Sequence, residues 1–453
     1  MQKIEMKKPL RITLIITGAL LILTVLALII GIAPLNRALD YKPLLDTMNA
    51  RIDGVDVQVV PVQRGFKIGY SKVNLTPREP VATAGYGKRL GRLYQSVHDS
   101  IYVRTLVIDN GTQRVAIVSA DLLIIPPTVT ALLENELPAI DFTLDNTYLG
   151  ATHSHNSIGN WAHGVTSLLY GTYEDSIVRF IADKIKVSIV KATENLLPSN
   201  IKIDSVAMPE GVYNRVTDSG PVDPLIRTIE IERQDSSKLL FISYTAHATC
   251  LFSKDLVLSG DYPGRLTNTL ESSGYSLAMF MAGAVGSHGP AAPEGGWSCV
   301  DWMAEAIAKK INAQEGKRRE MKNTTIEMHR VPLALSGLQP KVFHDWRLRP
   351  WLFRGAFGQY QTFISALRIG DIVLLGTPCD FSGEFNTSLD SLAVREHVFP
   401  IVTSFNGGYI GYVTPFKYYD LDHYETQLMN WYGPGTGEYV EQVLEKLLRS
   451  VAR

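Results

Sequence analysis

Alternation of apolar and polar positions divides most of this chain into short strands set between turns, with a few longer helical stretches. Residues 103–109 and 114–120 are apolar, β-prone runs on either side of Asn110-Gly111, a pair that tolerates positive φ and so favours a hairpin. Strands are also predicted at 226–232, 239–245, 276–281, 363–368, 372–375 and 400–403, and Asn146-Thr147-Tyr148-Leu149-Gly150 reads as another. Residues 174–196 carry Ile177, Phe180, Ile181, Ile185, Ile189 and Val190 at helical spacing, and Pro198 ends the pattern. Two further helices are expected over 299–312 and 439–451. Strands and helices mixed without strict alternation predict an α/β (mixed α+β) fold: one large domain of mixed β-sheets packed by helices, preceded by one N-terminal transmembrane helix.

That last element is read from the first residues. Lys3, Lys7, Lys8 and Arg11 precede an uncharged run from Ile12 to Ala33, close to the roughly 20 residues that span a bilayer. The run exceeds a usual signal-peptide core and Pro34 follows the small residue, which favours an uncleaved anchor over a removed leader. The expected organisation is a cytoplasmic basic flank at 1–11, a transmembrane anchor at 12–33, a linker at 34–65 and a globular unit at 66–453. The positive-inside rule then makes the protein single-pass and membrane-anchored, with its globular unit extracytoplasmic, periplasmic or extracellular.

Charge narrows the functional classes. Balanced totals of 44 basic and 45 acidic residues provide no global field for nucleic acid. Cys250, Cys299 and Cys379 cannot make a disulfide framework, leave at least one thiol free, and read as small buried side chains.

The candidate chemistry starts at Ala151-Thr152-His153-Ser154-His155-Asn156. In an extended segment the pleat sends His153 and His155 to one face, where two imidazoles can converge on a metal or a reacting group. His247 ends the apolar stretch 239–246, and Ser259-Gly260-Asp261 reads as a turn entering a helix. The segment Gly283-Ala284-Val285-Gly286-Ser287-His288-Gly289-Pro290 is small and glycine-rich, which permits close backbone approach. Asp380 and Tyr412 each follow a predicted strand, and Asp121 ends another. Taken singly, a strand-end histidine, a capping carboxylate and a packed aromatic are the ordinary readings of such residues.

Together, however, these segments resemble the catalytic domain of the neutral/alkaline non-lysosomal ceramidases. Thr152-His153-Ser154-His155-Asn156-Ser157 is similar to the family's Thr-His-Thr-His-Ser-Gly, Asn214-Arg215 to its Asn-Arg, and Thr245-Ala246-His247-Ala248-Thr249 to its Ala-Val-His-Pro-Thr. Ser259-Gly260-Asp261 matches its Ser-Gly-Asp, and Pro378-Cys379-Asp380-Phe381 resembles its Pro-Gly-Glu-Phe. Gly411-Tyr412-Val413-Thr414, His423-Tyr424-Glu425 and Tyr432-Gly433-Pro434 resemble its Gly-Tyr-Val-Thr, Arg-Tyr-Glu-Gly and Phe-Gly-Pro at similar spacing. The resemblance runs from about Ile68 to Leu447 and implies a ceramidase-like catalytic domain at 66–453, without the C-terminal β-sandwich of full-length ceramidases.

Carried over residue by residue, the resemblance implies Zn2+ held by His153, His247, Asp380 and Tyr412. His155 is then the general acid or base, Tyr424 and Arg215 orient the carbonyl oxygen, and Ser287, His288 and Gly289 fall in the substrate-contacting segment. Asp380 is one methylene shorter than the family's glutamate, so the backbone must sit closer or the metal must differ, and Gly289, which stands where the family has a functional serine, bears on substrate. The implied activity is zinc-dependent hydrolysis of the amide of an N-acyl sphingoid or related lipid, with the membrane reached through the N-terminal helix. The alternatives are hydrolysis of a different amide or ester in the same superfamily, and a catalytically inactive lipid- or envelope-binding homologue. A serine mechanism through Ser287 and His288 is disfavoured because adjacent residues of an extended loop point apart.

Overall fold

A computed structural model describes residues 8–55, 65–321, 323–358 and 360–452. Two large sheets organise it. The first has nine strands, eight of which run along one path: β1 (Phe66–Asn74), β2 (Tyr102–Asp109), β3 (Arg114–Ala120), β4 (Thr147–Ala151), β5 (Leu197–Ala207), β6 (Leu225–Arg233), β7 (Lys238–Tyr244) and β8 (Leu277–Ala282), in the spatial order β8-β7-β6-β5-β1-β2-β3-β4. Neighbours are antiparallel except at the two edges, where β3 and β4, and β7 and β8, run parallel. The second sheet is β9 (Ile326–Pro332), β10 (Phe363–Ile369), β11 (Ile372–Gly376) and β12 (Phe399–Thr403) in sequential order, with β11 and β12 parallel.

The strands read as apolar throughout because both of their faces are buried. Leu106, Ile108, Val115 and Ile117 of the first sheet share one cluster with Leu367, Leu374 and Ile401 of the second, so the sheets pack face to face. Their period-2 neighbours Val103, Val107, Ala116 and Val118 point the other way, onto helices Pro127–Glu136 and Asp175–Thr193. Leu240, Ile242 and Phe280 meet helices Asp261–Ser272 and Trp297–Asn312. Val373, Leu375 and Val402 are covered by Asn386–Arg395 and Thr436–Ala452. The result is a layered helix, sheet, sheet, helix sandwich, in agreement with the mixed α/β expectation.

The hairpin forms at the expected place, although Gly111 alone of the Asn110-Gly111 pair takes positive φ. Asp121 is structural: its carboxylate pairs with buried Arg104 at 2.8 Å and accepts the Tyr102 amide. Within the stretch assigned to the linker, Lys42–Asp53 is a helix whose Met48 and Ile52 join the core beside Tyr439 and Val443. Part of that stretch, 56–64, lies outside the described residues, as do 1–7 of the basic flank.

The expected membrane span is overturned, and with it the single-pass, anchored placement. Among the described residues no helix is long and apolar enough to cross a membrane. A helix does form over Lys8–Gly31, but it takes Lys8 and Arg11 into its first turns. At its other end Ile32–Pro34 leave the helix and pair antiparallel with Trp346–Leu348, setting Ala33 opposite Arg347. The apolar run 12–33 is therefore divided between two elements, and its last residues satisfy their backbone groups in a sheet.

Cysteine pairing also departs from expectation. Cys250 and Cys299 form a disulfide that ties the loop after β7 to helix Trp297–Asn312, while Cys379 is a buried free thiol. Burial pushes the Cys379 thiol well above its ordinary range, which keeps it protonated and inert.

Because Leu374 is fully buried in the layer between the sheets, Leu374→Ala is expected to lower stability by about 2–5 kcal/mol. Urea denaturation should show this as a lower midpoint with an unchanged slope.

Candidate metal centre and active-site cleft

The site sits where the parallel strand pairs end. β4 stops at Ala151, and its continuation delivers His153 and His155; β7 leads to His247, β8 to the 283–290 loop, and β11 to Asp380. The two histidines do not converge through a β-pleat, as the sequence reading expected. His153 instead takes the left-handed conformation (φ 64°), which folds the loop so that both rings turn to one centre. Phe405, also left-handed (φ 68°), stacks on the His153 ring at 3.9 Å. Two non-glycine residues in this costly region face each other at the site, as strained backbone often does where geometry serves function.

Three imidazole Nε2 atoms meet there. His153 and His247 are 2.8 Å apart, and His155 lies 3.1 Å from the first and 3.2 Å from the second. The protons can be placed. His153 Nδ1 donates to the Leu123 carbonyl at 2.6 Å and His247 Nδ1 to the Val285 carbonyl at 3.4 Å, since a carbonyl only accepts. In each neutral ring the Nε2 is then a bare lone pair. Burial keeps the rings neutral, pushing His153 down to about 3 and His155 and His247 well below their ordinary value. Lone pairs facing one another at this distance repel unless a cation lies between them.

The donor set fits zinc. With Zn–N near 2.0–2.1 Å, tetrahedral ligands stand about 3.3 Å from one another, a value bracketed by the 2.8 Å between His153 and His247 Nε2 and the 3.5 Å from His153 Nε2 to Asp380 Oδ1. Asp380 is fully buried, and its Oδ1 has no hydrogen-bond partner yet lies 3.5 Å from His153 Nε2. Its Oδ2 accepts from the Tyr409 hydroxyl at 2.5 Å. Burial pushes the Asp380 carboxyl up to about 7, while Tyr409, Arg215 and Tyr412 pull it back toward ionisation. The shorter side chain still reaches the centre because the chain presses close: a Cβ on Gly286 would lie 2.3 Å from the Asp380 carbonyl oxygen. Asp380 also pairs with Tyr412 in a short parallel bridge, which brings the tyrosine beside it.

The remaining predicted residues divide into two groups. Arg215 binds buried Glu425 at 2.7 Å; burial works against its charge, but Tyr412, Glu425 and Asp380 outweigh this and hold the guanidinium above its ordinary value. Tyr424 packs edge-on to Tyr412 at 5.7 Å and is half exposed. Both line a cavity of about 1620 Å³ together with His153, His155, Asp380 and Gly289. Ser287 and His288 are fully buried and take no part in its wall: Ser287 accepts from the Ser382 hydroxyl at 2.7 Å, and His288 Nε2 faces the Pro221 carbonyl at 3.4 Å. Leu333, Leu335, Phe353, Phe357 and Trp431 also line the cavity, beside Arg330, Ser336 and Arg354.

Sequence reasoning missed the residues that hold this arrangement. Tyr409 precedes Tyr412 by three positions in the same Gly-rich segment and could have been found there. Arg89 carried no signal. It is fully buried without a carboxylate at its guanidinium, and donates to the His155 carbonyl at 2.6 Å, the Asn156 side chain at 3.0 Å and the carbonyls of Phe252, Ser253 and Asp255. It thereby clamps the histidine loop to the loop after His247. Arg89→Met, which keeps the length and loses every donor, is expected to weaken metal binding by about 10- to 100-fold. Competition with a chromophoric chelator measures this.

The fold has counterparts among known proteins. The neutral ceramidase from Pseudomonas aeruginosa superposes with a TM-score of 0.75 at 18% identity, over 86% of this chain and 75% of that one. A ceramidase complexed with C2 superposes with the same TM-score at 16% identity and the same coverage. Residues 66–278 match the family model described as neutral/alkaline non-lysosomal ceramidase, N-terminal. The histidine pair and His247 all lie inside that match, and the chain shares the fold of these ceramidases.

Proposed function

We propose that the protein is a zinc-dependent amidohydrolase that cleaves the amide of an N-acyl sphingoid or a related lipid. The observation that carries this reading is the pair of bare Nε2 atoms of His153 and His247, with His155 Nε2 beside them and the orphaned Asp380 Oδ1 facing them, in a cavity lined in part by apolar residues. The apolar lining residues suit an acyl chain, and Arg215 and Tyr424 suit the amide.

In this reading His153, His247 and Asp380 hold the ion, with Tyr412 adjoining. His153 and His247 have the anchored Nδ1–H that orients a ligating imidazole. His155 differs: its Nδ1 has no hydrogen-bond partner, its ring leans on Tyr86, and it is the most exposed of the three at 9%. That position suits a proton carrier. Zinc, when bound, would supply Lewis acidity and make water acidic enough to act as a nucleophile near neutral pH. His155, held neutral by burial, takes the proton that water loses and delivers it to the leaving nitrogen. Arg215, kept charged and fixed by Glu425, orients the carbonyl oxygen, and Tyr424 donates to it from the cavity side.

Elemental analysis of the purified full chain should find about one zinc, and chelation should abolish hydrolysis of ceramide or of another N-acyl lipid. An ion-free protein that still cleaves the amide would overturn the assignment. The two kinds of histidine should separate in mutants. His153→Ala is expected to lose the ion and all activity, whereas His155→Ala retains the ion and loses about 10²- to 10⁴-fold in kcat.

A further inference from the structure

The short strand Val212–Asn214 pairs antiparallel with His288–Pro290, setting Tyr213 opposite Gly289. A Cβ built on Gly289 would lie 2.7 Å from Tyr213 Cε1, 2.8 Å from Cζ and 2.9 Å from the hydroxyl oxygen, closer than real side-chain contacts allow. Gly289 is absent from the residues with positive φ. Its backbone therefore does not require glycine; the tyrosine ring does. Tyr213 is 50% exposed, lines the cavity, and its hydroxyl makes no hydrogen bond among the described residues. By contrast, the hydroxyls of Tyr86 and Tyr409 are committed to the Leu251 carbonyl and to Asp380.

Tyr213 also stands in register with Arg215. Residues two apart in extended chain share a face about 6–7 Å apart, and both side chains line the cavity. Thr249 and Ser253 add further hydroxyls to the cavity lining. In the proposed reading an acyl chain seated on the apolar lining residues leaves the amine half of the amide for the polar ones.

We propose that Tyr213 is a specificity-determining residue whose hydroxyl hydrogen-bonds an oxygen substituent on the amine half of the substrate, about 6–7 Å from the carbonyl that Arg215 orients. Gly289 is the clearance that lets the ring reach this position. The assignment rests on the amidohydrolase reading for the substrate's orientation, and the experiment separates the two.

Two amides with the same acyl chain are compared on the metal-loaded full chain: an N-acyl amino alcohol and the matching N-acyl alkylamine without the hydroxyl. Binding is followed by tryptophan fluorescence, since Trp161 and Trp431 line the cavity, and cleavage by released amine. The hydroxylated ligand should bind about three- to tenfold more tightly. Tyr213→Phe, which keeps the ring, and Gly289→Ala, which displaces it, should each erase that difference with zinc content intact. No preference in the unsubstituted protein, or a preference that survives Tyr213→Phe, overturns the assignment. If neither amide is cleaved but the preference appears and depends on Tyr213, the hydrolase reading fails and the Tyr213 assignment stands. If neither ligand binds, both fail.

Discussion

Three buried imidazole nitrogens held within about 3 Å of one another are the constraint on which the rest of the site depends. The lone pairs of His153 and His247 are committed by hydrogen bonds on the far side of their rings, so these two rings cannot relieve their mutual repulsion by exchanging tautomers. The surroundings bear the cost. His153 and Phe405 are held left-handed, each at on the order of 1–3 kcal/mol, and Asp380 is buried with one oxygen free. A divalent cation at the centre turns all of these liabilities into ligands or supports, which is why the geometry reads as a metal site and not as a packed histidine cluster.

Such a centre needs a rigid frame, and the two sheets supply it. Its contributing loops leave the ends of β4, β7, β8 and β11, strands buried on both faces, so their starting points cannot drift. The loops themselves are irregular and fixed by polar contacts. Arg89 satisfies carbonyls from two loops at once, and Asn156 donates to the Asp255 and Val257 carbonyls at 2.8 and 2.9 Å. An arginine whose guanidinium is surrounded by carbonyls is expensive to bury, and its place behind the histidine loop shows where the fold concentrates its order.

Differences from the family's motifs become intelligible at this level. The shorter acid at 380 is compensated by close chain approach at Gly286 and by the Tyr409 hydroxyl, so Oδ1 still faces the histidines. Gly289 gives up a side chain and Tyr213 occupies the space, which moves a hydroxyl from one strand of the bridge to the other. Asp380, Gly289 and Tyr213 all line the cavity, so both differences fall within the site.

From sequence alone, the hydrophobic periodicity determined most strands and the main amphipathic helices, because burial on one or both faces leaves a local record. The order of His153, His155, His247, Asp380 and Tyr412 pointed to a family for the same reason: short motifs are local. What the tertiary structure decided was everything set by distance between loops. Neither the left-handed turn at His153, nor the Arg89 clamp, nor the Cys250–Cys299 pairing leaves a pattern in neighbouring residues, since each is fixed by partners far away in the chain. The N-terminal run shows the same limit from the other side. Its composition alone predicted a membrane span, but Ile32–Pro34 pair with a strand more than three hundred residues away, and a backbone hydrogen-bonded into that sheet no longer belongs to a continuous helix.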